Sequence, residues 1–472
     1  MQDCEVSLQL TSLPTGLAFV ERAGLLLVGV GLLLFMVAAS GAGAWQPALL
    51  LGAAFGTTTA GALLYFRRFA RRAASENNDS MWFSALTARG GAAWVLGVVL
   101  TGLYVLLYWF PESLENLIRT FDPLSKWLRG RAADQWFMYG AFYTFAVLIM
   151  GVRAVIKYRH SRYQVIRTFS VVFFQLGFAF LIPSLLVLLN QPEYYFSYFW
   201  PLKYDYLWPS TFSWLVDQPG GLGIFMLFWG AVMTFIAAPI LTYFFGKRWY
   251  CSWVCGCGGL AETAGDPFRH LADTSLRAWR IERWIIYSVL VLIVLTTVLL
   301  WVSSATGGWL FGGVSGILAQ WYGFGIGLVF SGVIGVGFYP LMGARVWCRY
   351  GCPMAAILGL QQKWFSRFRI TTNGGQCISC GNCSAYCEMG IDVRWYAQRG
   401  QNVVRASCVG CGICATVCPR GVLKLENGPR ADRYNGPVLI DRDELGILTE
   451  EHWEALNAAS VVPKDNTLSI ER

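Results

Sequence analysis

The chain has 472 residues and a formal net charge of +9. Hydrophobic residues make up 55% of it and charged residues only 14%, where soluble domains carry about 25% charged. With a mean hydropathy of +0.46, a soluble globule cannot hide that much apolar surface. Composition therefore excludes a soluble enzyme on one anchor, a disordered chain and a secreted scaffold, and puts most of the chain in lipid.

Eight stretches have the roughly 20 apolar residues that a helix needs to cross the hydrocarbon core. They are 20–40, 45–66, 91–110, 136–156, 168–190, 221–246, 284–305 and 319–343. The N-terminus has no basic stretch followed by a small-residue cleavage site, so no removable signal peptide is expected. The first two stretches are joined around Ser40–Ala44 and should form a tight hairpin. Lys and Arg in the short loops set the orientation. One set of loops holds Arg67, Arg68, Arg71, Arg72 and Arg89. The next loop on that side holds Arg153, Lys157, Arg159, Arg162 and Arg167, and the third holds Lys247, Arg248, Arg269, Arg277, Arg280 and Arg283. The opposite loops hold fewer: Arg119, Lys126, Arg129, Arg131 and Lys203. The first side should face the cytoplasm, with both termini and every clustered cysteine. The positive charge then follows topology, and a nucleic-acid partner is not expected.

Two outer loops are long. Residues 111–135 read as an amphipathic interfacial helix. Residues 191–214 are crowded with aromatics, including Tyr194, Phe199, Trp200, Tyr204 and Tyr206. They read either as a belt at the headgroup level or as a platform for a quinone or partner. After residue 344 the chain turns polar.

Of fourteen cysteines, one is Cys4 and the rest lie between Cys251 and Cys418. Clustering at metal spacings points to ligands in a reducing compartment, not disulfides. Cys377-x2-Cys380-x2-Cys383-x3-Cys387 is followed by Cys408-x2-Cys411-x2-Cys414-x3-Cys418-Pro419. This is the two-cluster ferredoxin spacing, in which the fourth cysteine of each run crosses to the other cluster. Cys377, Cys380, Cys383 and Cys418 should hold one [4Fe–4S] cluster, and Cys408, Cys411, Cys414 and Cys387 the other. Gly381, Gly410 and Gly412 permit the tight backbone this requires. Glu388 stands where Pro would follow the first run. Zinc fingers use separated pairs and fit this spacing less well.

A second pattern is repeated. Arg248-Trp249-Tyr250-Cys251-Ser252-Trp253-Val254-Cys255 ends the sixth stretch, and Arg345-Val346-Trp347-Cys348-Arg349-Tyr350-Gly351-Cys352-Pro353 ends the eighth. Cysteines at i and i+4 share a helical face, so Cys251, Cys255, Cys348 and Cys352 could together ligate a third iron–sulfur cluster next to the bilayer. The alternative is two packing motifs with buried thiols. Cys257 reads as inert or as a neighbour of the ligands, and Cys4 as structural. The three histidines, His160, His270 and His452, lie outside the predicted spans, so a membrane haem is not expected. The span interiors lack ionisable groups, which disfavours pumping. Gly323, Gly327, Ser331 and Gly335 recur every four positions and suit close helix packing.

These motifs together resemble the membrane-bound polyferredoxin family. Its members include the quinol-oxidising iron–sulfur subunit of periplasmic nitrate reductase systems, the membrane protein supporting nitrous-oxide reductase, and the copper-reducing assembly factor of cbb3-type oxidase. Gly390-Ile391-Asp392-Val393-Arg394 is similar to the assembly factor's ferredoxin region. The resemblance covers residues 221–424. It departs in the missing Pro of the first Cys-x3-Cys, in the lack of a flavin-binding extracytoplasmic domain and in the scarcity of histidine. It implies electron transfer.

The expected fold is an all-α integral membrane bundle of about eight transmembrane helices with a small cytoplasmic α+β two-[4Fe–4S] ferredoxin-like domain. The expected division is 1–220, a five-span region without an assigned role; 221–369, the spans bearing the two Cys-x3-Cys motifs; 370–424, the ferredoxin domain; and 425–472, a tail. The expected setting is a bacterial cytoplasmic membrane. The expected role is electron transfer between a cytoplasmic carrier or reductase and quinone or a membrane partner, as a subunit of a larger oxidoreductase in preference to a complete enzyme. Two alternatives stay open: a stand-alone copper-reducing assembly factor, and a cluster-stabilised structural anchor among other membrane redox subunits.

Overall fold

The structure is a computed structural model that describes residues 19–42, 46–72, 91–246, 248–373 and 376–427. These lie in one compact unit, Met1–Asp432. Cys4, Arg89, Lys247, His452 and the tail after 427 fall outside the described residues.

Seven helices are long and apolar enough to cross a membrane: α1 (Phe19–Ala39), α2 (Pro47–Arg67), and then, after α3, α4 (Gln135–Lys157), α5 (Arg162–Leu188), α6 (Leu222–Phe245), α7 (Leu276–Ala305) and α8 (Gly312–Gly337). This is compatible with a multi-pass membrane protein. α3 (Gly91–Trp109) occupies the third expected stretch, and its Ala93–Trp109 part turns by 113° into Pro111–Thr120. Wide turns with i→i+5 bonding interrupt α5 at Phe174–Leu181, α6 at Met233–Ala237 and α8 at Tyr322–Ile334. In α5 and α6 such a turn comes just before Pro183 and Pro239. Proline cannot bond back one turn and crowds the carbonyl there, so a wider turn relieves both problems.

α1 and α2 pack through small residues. A Cβ added at Gly61 would lie 2.5 Å from the Gly24 carbonyl oxygen, and one at Gly24 would lie 2.8 Å from that of Gly61. Between helices in lipid, such close backbone approach stands in for the missing hydrophobic drive.

Two loop expectations are corrected. Residues 111–135 do not form one interfacial helix. They fold as three short ones, Pro111–Leu114, Glu115–Thr120 and Asp122–Arg129, before α4 begins at Gln135. Pro111 and Pro123 each open a new turn, and Gly130 ends the last one with φ 72°. The aromatic loop 191–214 is not simply a headgroup belt, because Tyr194, Phe199 and Tyr206 are buried. Its backbone enters the bundle between α6 and α8. The Trp229 indole of α6 donates to the Phe196 carbonyl at 3.0 Å, and Thr234 donates to that of Trp200 at 2.9 Å. Irregular backbone at membrane depth is tolerated where protein buries it and supplies its hydrogen bonds. The small residues of α8 receive this loop: an added Cβ at Gly323 would meet the Tyr204 hydroxyl at 3.1 Å, and one at Gly327 the Tyr204 ring at 2.7 Å.

The cysteine-rich segment is closed by a two-stranded antiparallel sheet, β1 (Phe368–Thr372) with β2 (Leu423–Asn427), in a register that pairs Ile370 with Leu425. It is tied to the end of α6, where the Arg367 N–H donates to the Tyr243 carbonyl at 3.1 Å and the Asn427 side chain to that of Phe244 at 2.9 Å.

Gly61→Leu should wedge α1 from α2 and cost about 1–3 kcal/mol or more, the range for overpacking. Gly52→Leu, at a position with open space around it, should not. The thermal midpoint in mild detergent reads the difference.

Candidate metal centres

The two cysteine runs share one backbone design at an offset of 31 residues. Ser379 and Gly410 have φ of 59° and 70°, Gly381 and Gly412 have 83° and 71°, and Gly390 and Gly421 both have 60°. Gly381 leads into the one-turn helix Asn382–Ala385, and Gly412 into Ile413–Thr416. Left-handed backbone at these points folds each run around its own first three cysteines, at low cost where glycine supplies it.

Cys377, Cys380, Cys383 and Cys418 line one cavity, so the fourth cysteine of the second run crosses to the first. The lining includes Arg394 and Arg420 and no carboxylate. Burial raises the Cys414 thiol, and Cys411, Cys408, Cys387 and Cys383 are its electrostatic neighbours. Burial first, then neighbouring thiols, pushes the Cys383 thiol up to about 12. Burial is likewise the main cause that pushes Cys387 up to about 11, while the Ile391 amide, donating to its Sγ at 3.4 Å, works against it. Four soft donors around one space fit an iron–sulfur cluster, whose cations would favour the thiolate form that burial opposes. Among the described residues, no three His, Cys, Asp or Glu side chains converge as a single bound ion would need.

Cys251, Cys255, Cys348 and Cys352 are also brought together and buried. The Cys352 thiol is raised by burial and then by Cys251, Cys348 and Cys255. They do not share helical faces as i, i+4 pairs; that expectation is corrected. Cys251 lies in the short helix Trp249–Trp253, and Cys255 is extended at the start of a new helix, Gly256–Glu262. Cys348 lies in the wide turn Trp347–Gly351, and Cys352 is extended before Pro353–Phe365. In both copies the second cysteine's N–H bonds five residues back, Cys255 to Tyr250 at 2.9 Å and Cys352 to Trp347 at 3.0 Å. Proline is favoured where Pro353 stands, at the first helical position; Gly256 fills that place in the other copy. Cys257 hydrogen-bonds Cys255, and this contact is the main cause that brings the Cys255 thiol down to about 7.

The repeated arginines cross between the copies. Arg248 Nη1 donates to the Cys348 carbonyl and Arg345 Nη1 to the Cys251 carbonyl, each at 3.0 Å. Arg345 Nη1 also lies 3.8 Å from Cys348 Sγ. The sequence places these arginines in the repeat but gives no hint of the exchange.

Sequence reasoning missed a buried ionic cluster beside these cysteines, because it read the loop arginines as topology markers. Asp266 receives Arg153 at 2.8 Å, Lys157 at 2.9 Å, Arg269 at 2.8 Å and the Tyr158 hydroxyl at 2.7 Å. Glu262 pairs with Arg167, with Arg269 at 2.6 Å and with Arg345 at 2.5 Å. Glu388 pairs with Arg269 at 2.6 Å and Arg345 at 3.0 Å. The residue replacing proline after Cys387 thus joins the ferredoxin-like segment to the Arg345 repeat. The second run is docked to the same end: Ser252 donates to the Val409 carbonyl at 2.8 Å, Gln164 to that of Cys411 at 2.7 Å, and Arg248 to that of Ala406 at 2.9 Å.

Comparison with known proteins agrees with this geometry. Residues 376–423 match the 4Fe-4S dicluster domain family. Residues 225–274 and 322–371 each match the 4Fe-4S binding domain family, one match per repeat. These are ferredoxin-type iron–sulfur domains. The chain is also 27% identical over 167 residues to YccM of Escherichia coli (strain K12), whose name proposes an electron transport role. That match covers 33% of this chain and 46% of YccM, so the chain spans about half of that relative's length. No solved structure matches. Together the domains and the relative support an iron–sulfur electron-transfer role.

Glu388→Ala should leave Arg269 and Arg345 short of a buried partner. Loss of one member of a buried pair costs about 3–5 kcal/mol, readable as a lower thermal midpoint. Burial alone would raise the Asp266 carboxyl, but Lys157, Arg269 and Arg153 hold it well below the usual range. Its contribution to stability is therefore complete above the unfolded carboxylate pKa of about 4 and is lost as pH falls below that. Asp266→Asn should flatten the acid limb of a melting-temperature profile against pH.

Proposed function

We propose that the chain is a membrane-bound iron–sulfur electron-transfer protein that passes electrons between a cytoplasmic carrier or reductase and quinone or a membrane partner complex. The observation that carries this reading is the continuous path from half-buried Cys387 through buried Glu388 and Arg345 to Cys348, which joins one set of four cysteines to another. In this reading Cys377, Cys380, Cys383 and Cys418 ligate one [4Fe–4S] cluster and Cys408, Cys411, Cys414 and Cys387 a second. Cys251, Cys255, Cys348 and Cys352 ligate a third iron–sulfur cluster. Such clusters supply one-electron chemistry when bound, while the protein sets burial, hydrogen bonding and nearby charge.

The chain's own residues are suited to that work. Arg248 and Arg345 put positive charge beside thiols that must be anionic to ligate. The Ile391 amide donates to Cys387 Sγ, a bond of the kind that tunes cluster potential. Cys257, bonded to Cys255, acts as a neighbour of the ligands and not as a ligand. α3 serves as an eighth span, and the cysteine-bearing end faces the cytoplasm of a bacterial inner membrane. Loops on that side carry the excess of Lys and Arg.

Metal analysis of protein isolated without oxygen should give about twelve iron per chain for three cubanes and about eight for two. Cys348→Ser or Cys352→Ser should lower the count while sparing the electron paramagnetic resonance signals of the other two clusters. Iron unchanged in both variants removes the third site. Iron signals that no low-potential donor can alter remove the electron-transfer reading.

A further inference from the structure

The two ferredoxin-like cysteine sets are not equally accessible. The second run is anchored to the ends of α5 and α6 through the Tyr163, Gln164, Arg248 and Ser252 contacts. The first opens outward: Cys380 is exposed, and so is the adjacent Ile378, at 53%. Arg394 and Arg420 stand at that opening, and Arg399 follows Gln398, whose side chain donates to Ser379 at 2.8 Å; all three arginines are exposed. Arg394 and Arg420 line the same cavity as the four cysteines. Arg399 stacks on the Trp395 ring at 4.1 Å, and that ring is itself 42% exposed. Among the described residues, none of the three arginines pairs with a carboxylate. The nearest acid in sequence, Asp392, is engaged by Ser384 at 2.8 Å and caps the helix Val393–Gln398.

Two guanidinium groups without a carboxylate partner thus share the opening with exposed Ile378 and Cys380, and a third, on Trp395, follows the helix that carries Arg394. Exposed arginines in general need no partner, but here two of them share their cavity with the proposed ligands. We infer that this face is the docking surface for a soluble, acidic one-electron carrier protein. The inference rests on the electron-transfer reading and adds the place and charge of the partner. Unlike charges speed encounter and orient it, and the effect is screened by salt. A small patch with few apolar contacts suits a weak, short-lived encounter, as in other electron-transfer pairs. One electron moves per encounter: the carrier is oxidised by one electron as the site is reduced by one, or the reverse, and no bond is made or broken in this chain.

The test uses the full-length protein in mild detergent, with its iron in place and without oxygen. The probe is the hydroquinone of an acidic flavodoxin, which becomes the semiquinone as it gives up one electron. Stopped-flow absorbance reads the second-order rate of iron–sulfur reduction. For the native protein the rate should fall steeply as ionic strength rises. The triple variant Arg394→Glu, Arg399→Glu, Arg420→Glu should react about tenfold or more slowly at low salt, and its salt dependence should vanish or invert. Reversing Arg159, Arg162 and Arg277 instead gives the same change in net charge away from the opening and should have little effect. Both variants should still be reduced by a neutral photoreduced deazaflavin, which reports on the iron site without protein docking. If the triple variant loses iron, single Arg→Gln changes and the native salt profile carry the test. A native rate insensitive to salt, or equal slowing in both triple variants, overturns the proposal. A faster reaction on reversing the patch also overturns it. If neither donor reduces the iron, it is the electron-transfer reading that fails.

Discussion

Buried positive charge at one end of the helices is the constraint from which most of this architecture follows. Arg153, Lys157, Arg167, Arg269 and Arg345 are all buried, and they share three carboxylates, those of Glu262, Asp266 and Glu388. Arg248, also buried, is held by backbone carbonyls. Taking an ion out of water costs several kcal/mol, recovered only with good geometry and full hydrogen bonding. Cations in excess of carboxylates therefore call for further anions nearby, and the adjacent groups able to become anionic are thiols. Burial raises the Cys251 and Cys348 thiols, and Arg248 and Arg345 are the neighbours that work against it. The cationic cluster and the cysteines are thus complementary: each makes the burial of the other affordable.

That constraint also explains why the two Arg-x-aromatic-Cys repeats must meet. Each arginine hydrogen-bonds the first cysteine carbonyl of the other copy, so neither repeat is complete alone. Their spans, α6 and α8, do not close on each other along their length; the aromatic loop 191–214 fills the space between them. Phe199 packs on Tyr250 with ring centroids 5.1 Å apart, and Tyr250 donates its hydroxyl to the Ser197 carbonyl. Loop carbonyls enclosed among apolar helices need partners, and tyrosine, tryptophan and threonine side chains supply them. The loop therefore supports the cysteine repeats directly, one residue from Cys251.

Much of this was legible in the sequence, and the limits have physical causes. Long apolar runs reveal helices because lipid demands them, so seven of the eight stretches appear as spanning-length helices. The third is a helix that turns sharply at its end, where Pro111 stands. The sharing of one cavity by Cys418 with Cys377, Cys380 and Cys383 was legible because spacing limits which thiols can reach a common space. The i, i+4 reading of the Cys-x3-Cys pairs failed because Pro353 and Gly256 start new helices immediately after the second cysteine. The ionic cluster was hidden for a different reason. Arg153, Arg269 and Glu262 are ordinary loop or helix-end residues in one dimension, and only the folded chain brings their charges together. The burial of Tyr194, Phe199 and Tyr206 was hidden because composition does not report which loop side chains the helices will cover.

The position after the fourth cysteine shows how one backbone design can serve two directions. In the second run Cys418 is followed by Pro419 and Arg420, both exposed. Proline there donates no N–H and holds the turn, and the arginine projects to solvent. In the first run Cys387 is followed by Glu388, which is 1% exposed and bonded to Arg269 and Arg345. Cys418 lines the cavity of Cys377, Cys380 and Cys383, so the exposed end belongs with that cavity, while Glu388 holds the other end in the ionic cluster. A duplicated frame with interchangeable ends would have no reason to face one way. A carboxylate in place of proline in one copy breaks that equivalence: it ties that end of the ferredoxin-like segment to Arg269 and Arg345 and leaves the cavity of Cys377, Cys380, Cys383 and Cys418 to face outward.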